Sequence, residues 1–399
     1  MNILFLGLSS FENLNQRGIY ADLLRELAKK GNTVFAATPT ERREKRKTFC
    51  NRFNCHSFLL IKTFNIQKTN LLEKGIGTLA IKGQFIRAIK KYFKGIKFDL
   101  ILYPTPPITL YGVVKYFKKR DNAKTYLMLK DIFPQNAVDL GIMKTTGLKG
   151  LIYKYFRKQE KKLYAVSDRI GCMSPANVEY VLKNNLEVNK DKTEVFPNCI
   201  EVQDISSTDE EKKAIRIKYG LPLNKRIFVY GGNLGKPQGI PFIIECIKAA
   251  KSNDKAFFLI AGDGTEFNKL ESFFNNSKLD NFMLFQRLPS NEFNQLLLAC
   301  DVGLIFLDYR FTIPNFPSRL LSYLQAGLPV FACTDRATDI GKIIVDGGVG
   351  WWCESRNVND FCQTINISLE EFCKKKKNAL QFLKDNYSLE RYTDLILGK

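Results

Sequence analysis

Three glycine-bearing turns in the second half of the chain have the make-up of a phosphate cradle. They are 230–239 (YGGNLGKPQG), 260–264 (IAGDG) and 316–332 (FPSRLLSYLQAGLPVFA). A glycine where a strand passes into a helix lets backbone N–H groups come close to a phosphate. Lys236 and Arg319 bring positive charge to two of these turns. Ser318 follows Pro317 and is placed to cap the next helix. A helix N-terminus, a serine cap and an arginine together suit a diphosphate. One such turn alone is more often only a tight turn. Three at successive strand ends of one domain form a more specific signal.

Other chemistries lack their residues. The chain has one histidine, His56, and ten cysteines with no Cys-x-x-Cys; the closest pair is Cys50 and Cys55. Zinc-ligand spacings are therefore missing. Cys172, Cys300 and Cys333 lie in apolar runs and read as core residues. His56 falls in a charged stretch and reads as surface. No Asp-x-Asp occurs, so the simplest carboxylate pair for a metal-bound nucleotide is missing. The expectation is no metal and no cofactor.

Strands and helices alternate around these turns. Short apolar runs (ILFLG, TVFAAT, FDLILY, KTYLML, DRIGC) are separated by amphipathic stretches such as GIYADLLRELAKK. The pattern predicts a parallel sheet covered on both faces. Residues 201–225 turn polar and acidic, then carry turn residues, and an interdomain linker is expected at or just before this stretch. A second alternating series follows it. The 399 residues thus predict an α/β chain of two Rossmann-like, doubly wound domains facing a cleft. Their expected bounds are 1–200 and 201–375, with a last helix, 376–399, packing back on the first domain. No apolar run reaches the ~18 residues of a membrane span, and MNILFLGLSS reads as a first strand, not a signal peptide. The expected location is cytoplasmic.

Charge is uneven. Residues 1–200 hold 36 basic and 16 acidic side chains; the remainder hold 25 and 24. A basic half points to an anionic partner: phospholipid, a phosphate-bearing substrate or nucleic acid.

The sequence resembles the nucleotide-sugar-dependent glycosyltransferases of family 4 (group 1), of GT-B architecture, over nearly its whole length. GNLGKPQG at 232–239, GDG at 262–264 and PSRLLSYLQAGLPV at 317–330 stand where that family grips its donor. LACDVGLIFL at 298–307, RGIYADLLRELAKKGNTVFAATP at 17–39, LKDIFPQNAVDLGIM at 129–143, CMSPANVEYVL at 172–182 and VFPNCI at 195–200 are similar to further segments. The nearest subgroup is that of bacterial surface-polysaccharide enzymes transferring amino- or deoxy-sugars to lipid-linked glycans.

The resemblance implies roles. Arg319 would pair with the diphosphate, and Lys236 would supply the second cation. Gly18, Gly232, Asn233, Gln238, Gly262, Asp263, Gly264, Ser318 and Ser322 would contact the donor, with Arg287, in the stretch 286–288, beside the nucleobase. Asp131 would face the sugar or acceptor, with Lys130 and Arg17 on the acceptor side; the other reading of Asp131 is an ordinary helix cap ahead of Phe133 and Pro134. Transfer would proceed with retention and without metal. A departing nucleoside diphosphate, with UDP as the expected carrier, would be stabilised by cations and backbone dipoles, and domain closure would exclude water. Six positions depart from the family, two of them Asn233 and Gln238, which stand where many members carry Arg and Lys. Serine stands at 322 in place of a ribose-binding glutamate, Pro314 replaces an acidic residue, Cys199 a frequent glycine, and Lys130 a frequent histidine.

Three basic amphipathic stretches, 79–97, 110–120 and 148–164, can lie on an anionic membrane. A polyprenyl-diphosphate-linked glycan acceptor would be met there, at the inner face of the cell membrane. The bland reading of each is a helix packed on the sheet with solvated lysines. Three other functions compete: a divergent or non-catalytic GT-B scaffold, for which Ser322 speaks; a nucleotide-sugar epimerase; and a nucleic-acid-binding protein, which lacks aromatic platforms or a binding module.

Overall fold

Runs such as NILFL and LILYP are apolar on both faces, and a strand of that kind needs helices above and below it. In the computed structural model, which describes residues 1–65, 71–205 and 207–398, the chain forms two compact units. They are Met1–Glu201 with Leu389–Lys399, and Val202–Ser388.

The first unit runs β1 (Asn2–Leu6), α1 (Ile19–Lys29), β2 (Thr33–Glu41), β3 (Phe49–Phe53), β4 (His56–Thr63), α2 (Leu71–Tyr92), β5 (Leu100–Pro104), α3 (Tyr111–Asp121), β6 (Lys124–Leu129), α4 (Gln135–Asp139), α5 (Gly147–Val166), β7 (Arg169–Cys172), α6 (Pro175–Asn184) and β8 (Thr193–Val195). Its sheet order is β3-β4-β2-β1-β5-β6-β7-β8, with β3 antiparallel to β4. The strand period of two divides the core. Ile3 and Phe5 join Leu23, Leu24 and Leu27 of α1 on one face. Leu4 and Leu6 join Phe85, Ile89, Val114 and Phe117 on the other.

The second unit runs α7 (Asp209–Lys218), β9 (Arg226–Asn233), α8 (Ile240–Ala249), β10 (Ala256–Asp263), α9 (Phe267–Asn276), β11 (Phe282–Gln286), α10 (Ser290–Leu298), β12 (Val302–Phe306), α11 (Arg319–Gln325), β13 (Val330–Thr334), α12 (Ile340–Asp346), β14 (Gly350–Glu354) and α13 (Val358–Tyr387). Its all-parallel sheet is ordered β11-β10-β9-β12-β13-β14. The order reverses between β9 and β12, and in the first sheet between β1 and β5. Ligands of such sheets bind at the carboxyl ends beside that reversal.

Four expectations need correction. His56 is no surface bystander: it opens β4, and its Nδ1 accepts the Val34 N–H at 3.1 Å. The chain divides after Glu201, where a linker was expected, but the polar stretch 201–225 holds a helix that was not. Thr208 and Glu211 form a capping box, Thr208 Oγ1 accepting from Glu211 N and Glu211 Oε2 from Thr208 N. The helix they start, α7, is anchored by Arg216 on Asp301 at 2.7 Å. The last segment does not turn back at 376. That position lies inside α13, which packs on α8, α11 and β14 of the second unit; only α14 (Leu389–Leu397) returns, against α1. Ser318 does not cap α11: its own backbone is already helical, so its hydroxyl is not aimed at the first-turn amides. Ser206, Lys399 and the side chain of Leu79 lie outside the described residues. Among the described residues, no helix is long and apolar enough to cross a membrane.

One carboxylate holds the glycine turn ahead of α1. Glu201 accepts from Arg17, from Arg25 at 3.0 Å and from Lys29 at 2.9 Å. Arg25 also reaches the carbonyls of Leu14 and Gln16 and the carboxylate of Asp22. These cations hold the Glu201 carboxyl at about 2. A carboxyl lowered in the folded state stabilises above its unfolded range, and that gain fades as acid protonates it. Glu201→Gln should therefore cost about 1 kcal/mol at neutral pH, the scale of exposed ion pairs. Thermal melts from neutral pH down toward pH 2 should show the difference from wild type narrowing below about pH 4. A difference that stays constant in acid would place the loss in packing.

Candidate functional site

In the second unit the site is built at the carboxyl ends of β9, β10 and β11. Gly232 pairs with Gly262, and Gly262 with Gln286, so these three strand ends stand side by side. Asp263 pairs with Asn233 one step further. The turn after β9 crosses closely over β10. A Cβ on Gly262 would meet the Gly232 carbonyl oxygen at 2.1 Å, and one on Gly264 the Leu234 carbonyl oxygen at 2.4 Å. Leu234 donates to the Asp263 carbonyl, and Glu266 to that of Leu234. The glycines of the GDG motif are thus explained by chain crossing chain.

Above this edge lies Arg319, the first residue of α11. Its guanidinium stacks on the Tyr230 ring, 4.2 Å from the centroid. It also lies 3.6 Å from where a Cβ on Gly232 would stand. Gly232 has φ +120°, a conformation that favours glycine. Arg319 Nη1 is buried and has no hydrogen-bond partner among the described residues. Tyr323, one turn further along α11, fixes the helix to the sheet: its hydroxyl accepts the Gly231 N–H at 3.1 Å and donates to the Leu304 carbonyl at 3.0 Å. Tyr230 donates to the Asn233 carbonyl at 2.6 Å.

The other expected donor residues fall around this cation. The amide oxygen of Gln238 is turned inward, accepting from Gly235 N and from Asn233 Nδ2, both at 3.0 Å. It closes the loop that carries Lys236. Lys236 is exposed, on a 3-10 turn pinned where Asp308 N donates to the Pro237 carbonyl at 2.9 Å. Arg287 and Ser322 are exposed, Arg287 one residue past β11 and Ser322 on α11. Tyr230, Tyr323 and Asp308 escape a motif reading. Tyr323 does leave one trace, its i+4 spacing from Arg319 on a single helix face.

In the first unit Asp131 follows β6. Both carboxylate oxygens accept from Asn136 Nδ2 at 2.9 Å. The helix-cap reading fails, because α4 starts behind Pro134 with no side-chain cap. Burial pushes the Asp131 carboxyl up to about 6. Thr105 Oγ1 fixes the segment: it accepts from Lys130 N and Asp131 N and donates to the Asp131 carbonyl. Asn136 Oδ1 is also buried and has no partner among the described residues.

Lys130 points elsewhere. Its ammonium donates to the carbonyls of Phe196 and Pro197, both at 3.1 Å, and lies over the Phe196 ring. Burial brings it down to about 8. Its position braces the VFPNCI segment, where the resemblance had assigned it to an acceptor. Arg17 spends its charge on Glu201. Gly18 precedes α1 with φ 146°, and its carbonyl accepts from Asp22 N at 2.8 Å.

Comparison with known proteins agrees with this division. Residues 19–204 match the model of Glycosyltransferase Family 4, and residues 211–381 that of Glycosyl transferases group 1. WbjE of Pseudomonas aeruginosa, named as a glycosyltransferase, is 27% identical over 328 residues, 80% of this chain and 78% of that protein. WcaI of Escherichia coli, whose name places it in colanic acid biosynthesis, is 22% identical over 67% of this chain and 64% of its own. Among solved structures, Anabaena HepE in complex with UDP aligns with TM-score 0.69 at 14% identity, covering 100% of this chain and 99% of that one. WaaG, a glycosyltransferase involved in lipopolysaccharide biosynthesis, aligns with TM-score 0.67 at 14% identity over 100% of both. These likenesses show the two-domain GT-B fold. With both halves matched by glycosyltransferase models, the chain belongs to the glycosyltransferases, its first unit to family 4 and its second to group 1.

Proposed function

We propose that this chain moves a sugar from a nucleotide-sugar, with UDP as the carrier, to a lipid-linked glycan during synthesis of a bacterial surface polysaccharide. The observation that carries the reading is Arg319, stacked on Tyr230 with a buried N–H unpartnered at the strand ends where such sheets bind ligands. A diphosphate oxygen is the acceptor such a donor fits. The names of WbjE and WcaI, and the UDP held by HepE, support the glycan setting and the nucleotide.

In the proposed chemistry the bond from the anomeric carbon to the diphosphate breaks, and the acceptor hydroxyl takes the sugar with retention. Arg319 and Lys236 stabilise the charge that develops on the leaving diphosphate, the task that falls to a metal in other transferases. Asp131, with its carboxyl near 6, holds or accepts a proton on the acceptor side. Work at a lipid-borne acceptor places the protein at the inner face of the membrane. A second reading, a scaffold that binds donor without turnover, is favoured by Ser322, which leaves no carboxylate at the expected ribose position.

Thermal shift with UDP, GDP, ADP and CMP tests the reading, because a ligand of the folded state raises the midpoint. UDP should raise it. Arg319→Ala should weaken UDP binding about tenfold to a hundredfold, the 1.5–3 kcal/mol scale of a charged hydrogen bond, as read by titration calorimetry. Unchanged affinity would remove the diphosphate assignment. Binding without sugar transfer in a radiolabel assay would favour the scaffold.

Asp131→Asn should abolish most turnover while leaving UDP affinity intact. It should also raise stability at pH 8 by the order of 1 kcal/mol, because the native ionised carboxylate is buried at a cost. A carboxyl raised in the folded state favours folding below its unfolded range and loses that gain as pH climbs through about 6. The variant's advantage should therefore vanish near pH 4. Melts of both proteins across that range decide it.

A further inference from the structure

The three basic stretches do not behave alike. In α2, Ile81, Phe85 and Ile89 are buried against the sheet; in α3, Val113, Val114 and Phe117 are. The bland reading holds for both helices: apolar faces packed, lysines in water. Helix α5 differs along its length. Its C-terminal half docks Leu163 and Tyr164 into the core. Its N-terminal half leaves Leu148 87%, Leu151 60%, Ile152 54% and Tyr155 41% exposed, at the spacing that lines one helix face. Ile142, in the preceding turn, is 61% exposed.

The chain that carries this stripe holds charge of one sign. From Leu140 to Gln159 the sequence holds no aspartate or glutamate. Lys144, Lys149, Lys154 and Lys158 are exposed there. Arg157 is bound to Glu160, which lies past the stripe. Large apolar residues in a contiguous exposed stripe mark a contact surface, and the lysines select an anionic occupant. We infer that the first half of α5 lies on an anionic lipid bilayer. Its stripe enters the boundary between headgroups and acyl chains, and its lysines meet lipid phosphates. The inference rests on the reading above for what the bilayer carries, the lipid-linked acceptor. Phe156, next to Tyr155, packs on Phe133 with ring centroids 5.0 Å apart. The helix that touches lipid thus also braces the Asp131 segment.

The test is co-sedimentation of the full chain with phosphatidylcholine vesicles and with vesicles containing phosphatidylglycerol. The wild type should pellet with the anionic vesicles and be released by salt. Leu151→Glu with Ile152→Glu should cut the bound fraction about tenfold, as should Lys149→Glu, Lys154→Glu and Lys158→Glu together. An equal charge change on α2, the turn after it and α3, Lys90→Glu, Lys94→Glu and Lys119→Glu, should leave binding within about twofold. The changed positions are exposed, and thermal midpoints with and without UDP check folding and donor binding on the same preparations. Equal loss in the control triple would overturn the assignment to α5. So would a dimer in lipid-free solution that the Leu151 and Ile152 changes dissolve, which would make the stripe an interface between copies. A chain that responds to UDP yet ignores anionic vesicles would overturn this surface and leave the transferase reading standing. Vesicle binding without any nucleotide response would do the reverse.

Discussion

A guanidinium held over a tyrosine ring, with one nitrogen buried and without a hydrogen-bond partner among the described residues, is the constraint around which the C-terminal unit is arranged. Leaving a buried donor unsatisfied costs roughly 1–3 kcal/mol, and more when it is charged. Stacking on Tyr230 offsets about 0.5–2 kcal/mol of that. The remainder is carried by the fold, and Tyr323 shows how. Bonded to a β9 amide and a β12 carbonyl, it fixes the rotation of α11 and with it the place of Arg319 over the sheet edge. A lysine in its place would neither stack as a plane nor present a fork of donors. The close crossing at Gly262 and Gly264 belongs to the same arrangement, because it sets the height of the β9 turn over the sheet edge.

The N-terminal unit holds the complementary problem. Asp131 and Lys130 are neighbours of opposite charge, yet they do not pair. Each follows a strand in which successive side chains leave on opposite faces. Lys130 goes to the carbonyls of the 195–200 segment and Asp131 to Asn136. Each is therefore half-buried without a counter-charge, and desolvation drives the acid up to about 6 and the base down to about 8. A structural pair would have relaxed this by meeting. Keeping the two apart preserves a carboxyl that titrates close to neutrality, where acid–base work is possible.

The alternation of strands and helices was legible because both sheets bury their strands on two faces, and runs such as ILFLG and RIFVYGG show it directly. The glycine turns and Arg319 were legible as types. Their partners were not: the stack of Arg319 on Tyr230 and the hold of Asn136 on Asp131 need the fold to bring them together. Other misses have local causes. The β3–β4 hairpin escaped although β4 carries the buried apolar run 58–61, because the charged loop just before it drew His56 into a surface reading. Helix α7 escaped because an acidic run looked like linker, although Thr208 and Glu211 spell a capping box. Ser318 looked like a cap by position, but capping depends on a backbone conformation that its sequence context does not state.

The basic excess of the first half can be followed to its destination. Carboxylates in that unit are heavily engaged: Glu201 takes three cations, Asp168 takes Lys118, and Glu160 takes Arg157. Part of what remains lies on the outer faces of α2, α3 and α5, with Lys90, Lys119, Lys149 and Lys154 all exposed. Such a field repels itself and gains the fold nothing. At cellular salt the screening length is about 8 Å, so these lysines steer little from afar and act mainly on a surface in contact with them. On α3 and on the described side chains of α2, the large apolar residues Ile81, Phe85, Ile89, Val113, Val114 and Phe117 are committed to the core, which leaves the lysines only their charge to offer. On the first half of α5, charge and an exposed apolar stripe coincide, and attraction at contact can there be converted into insertion.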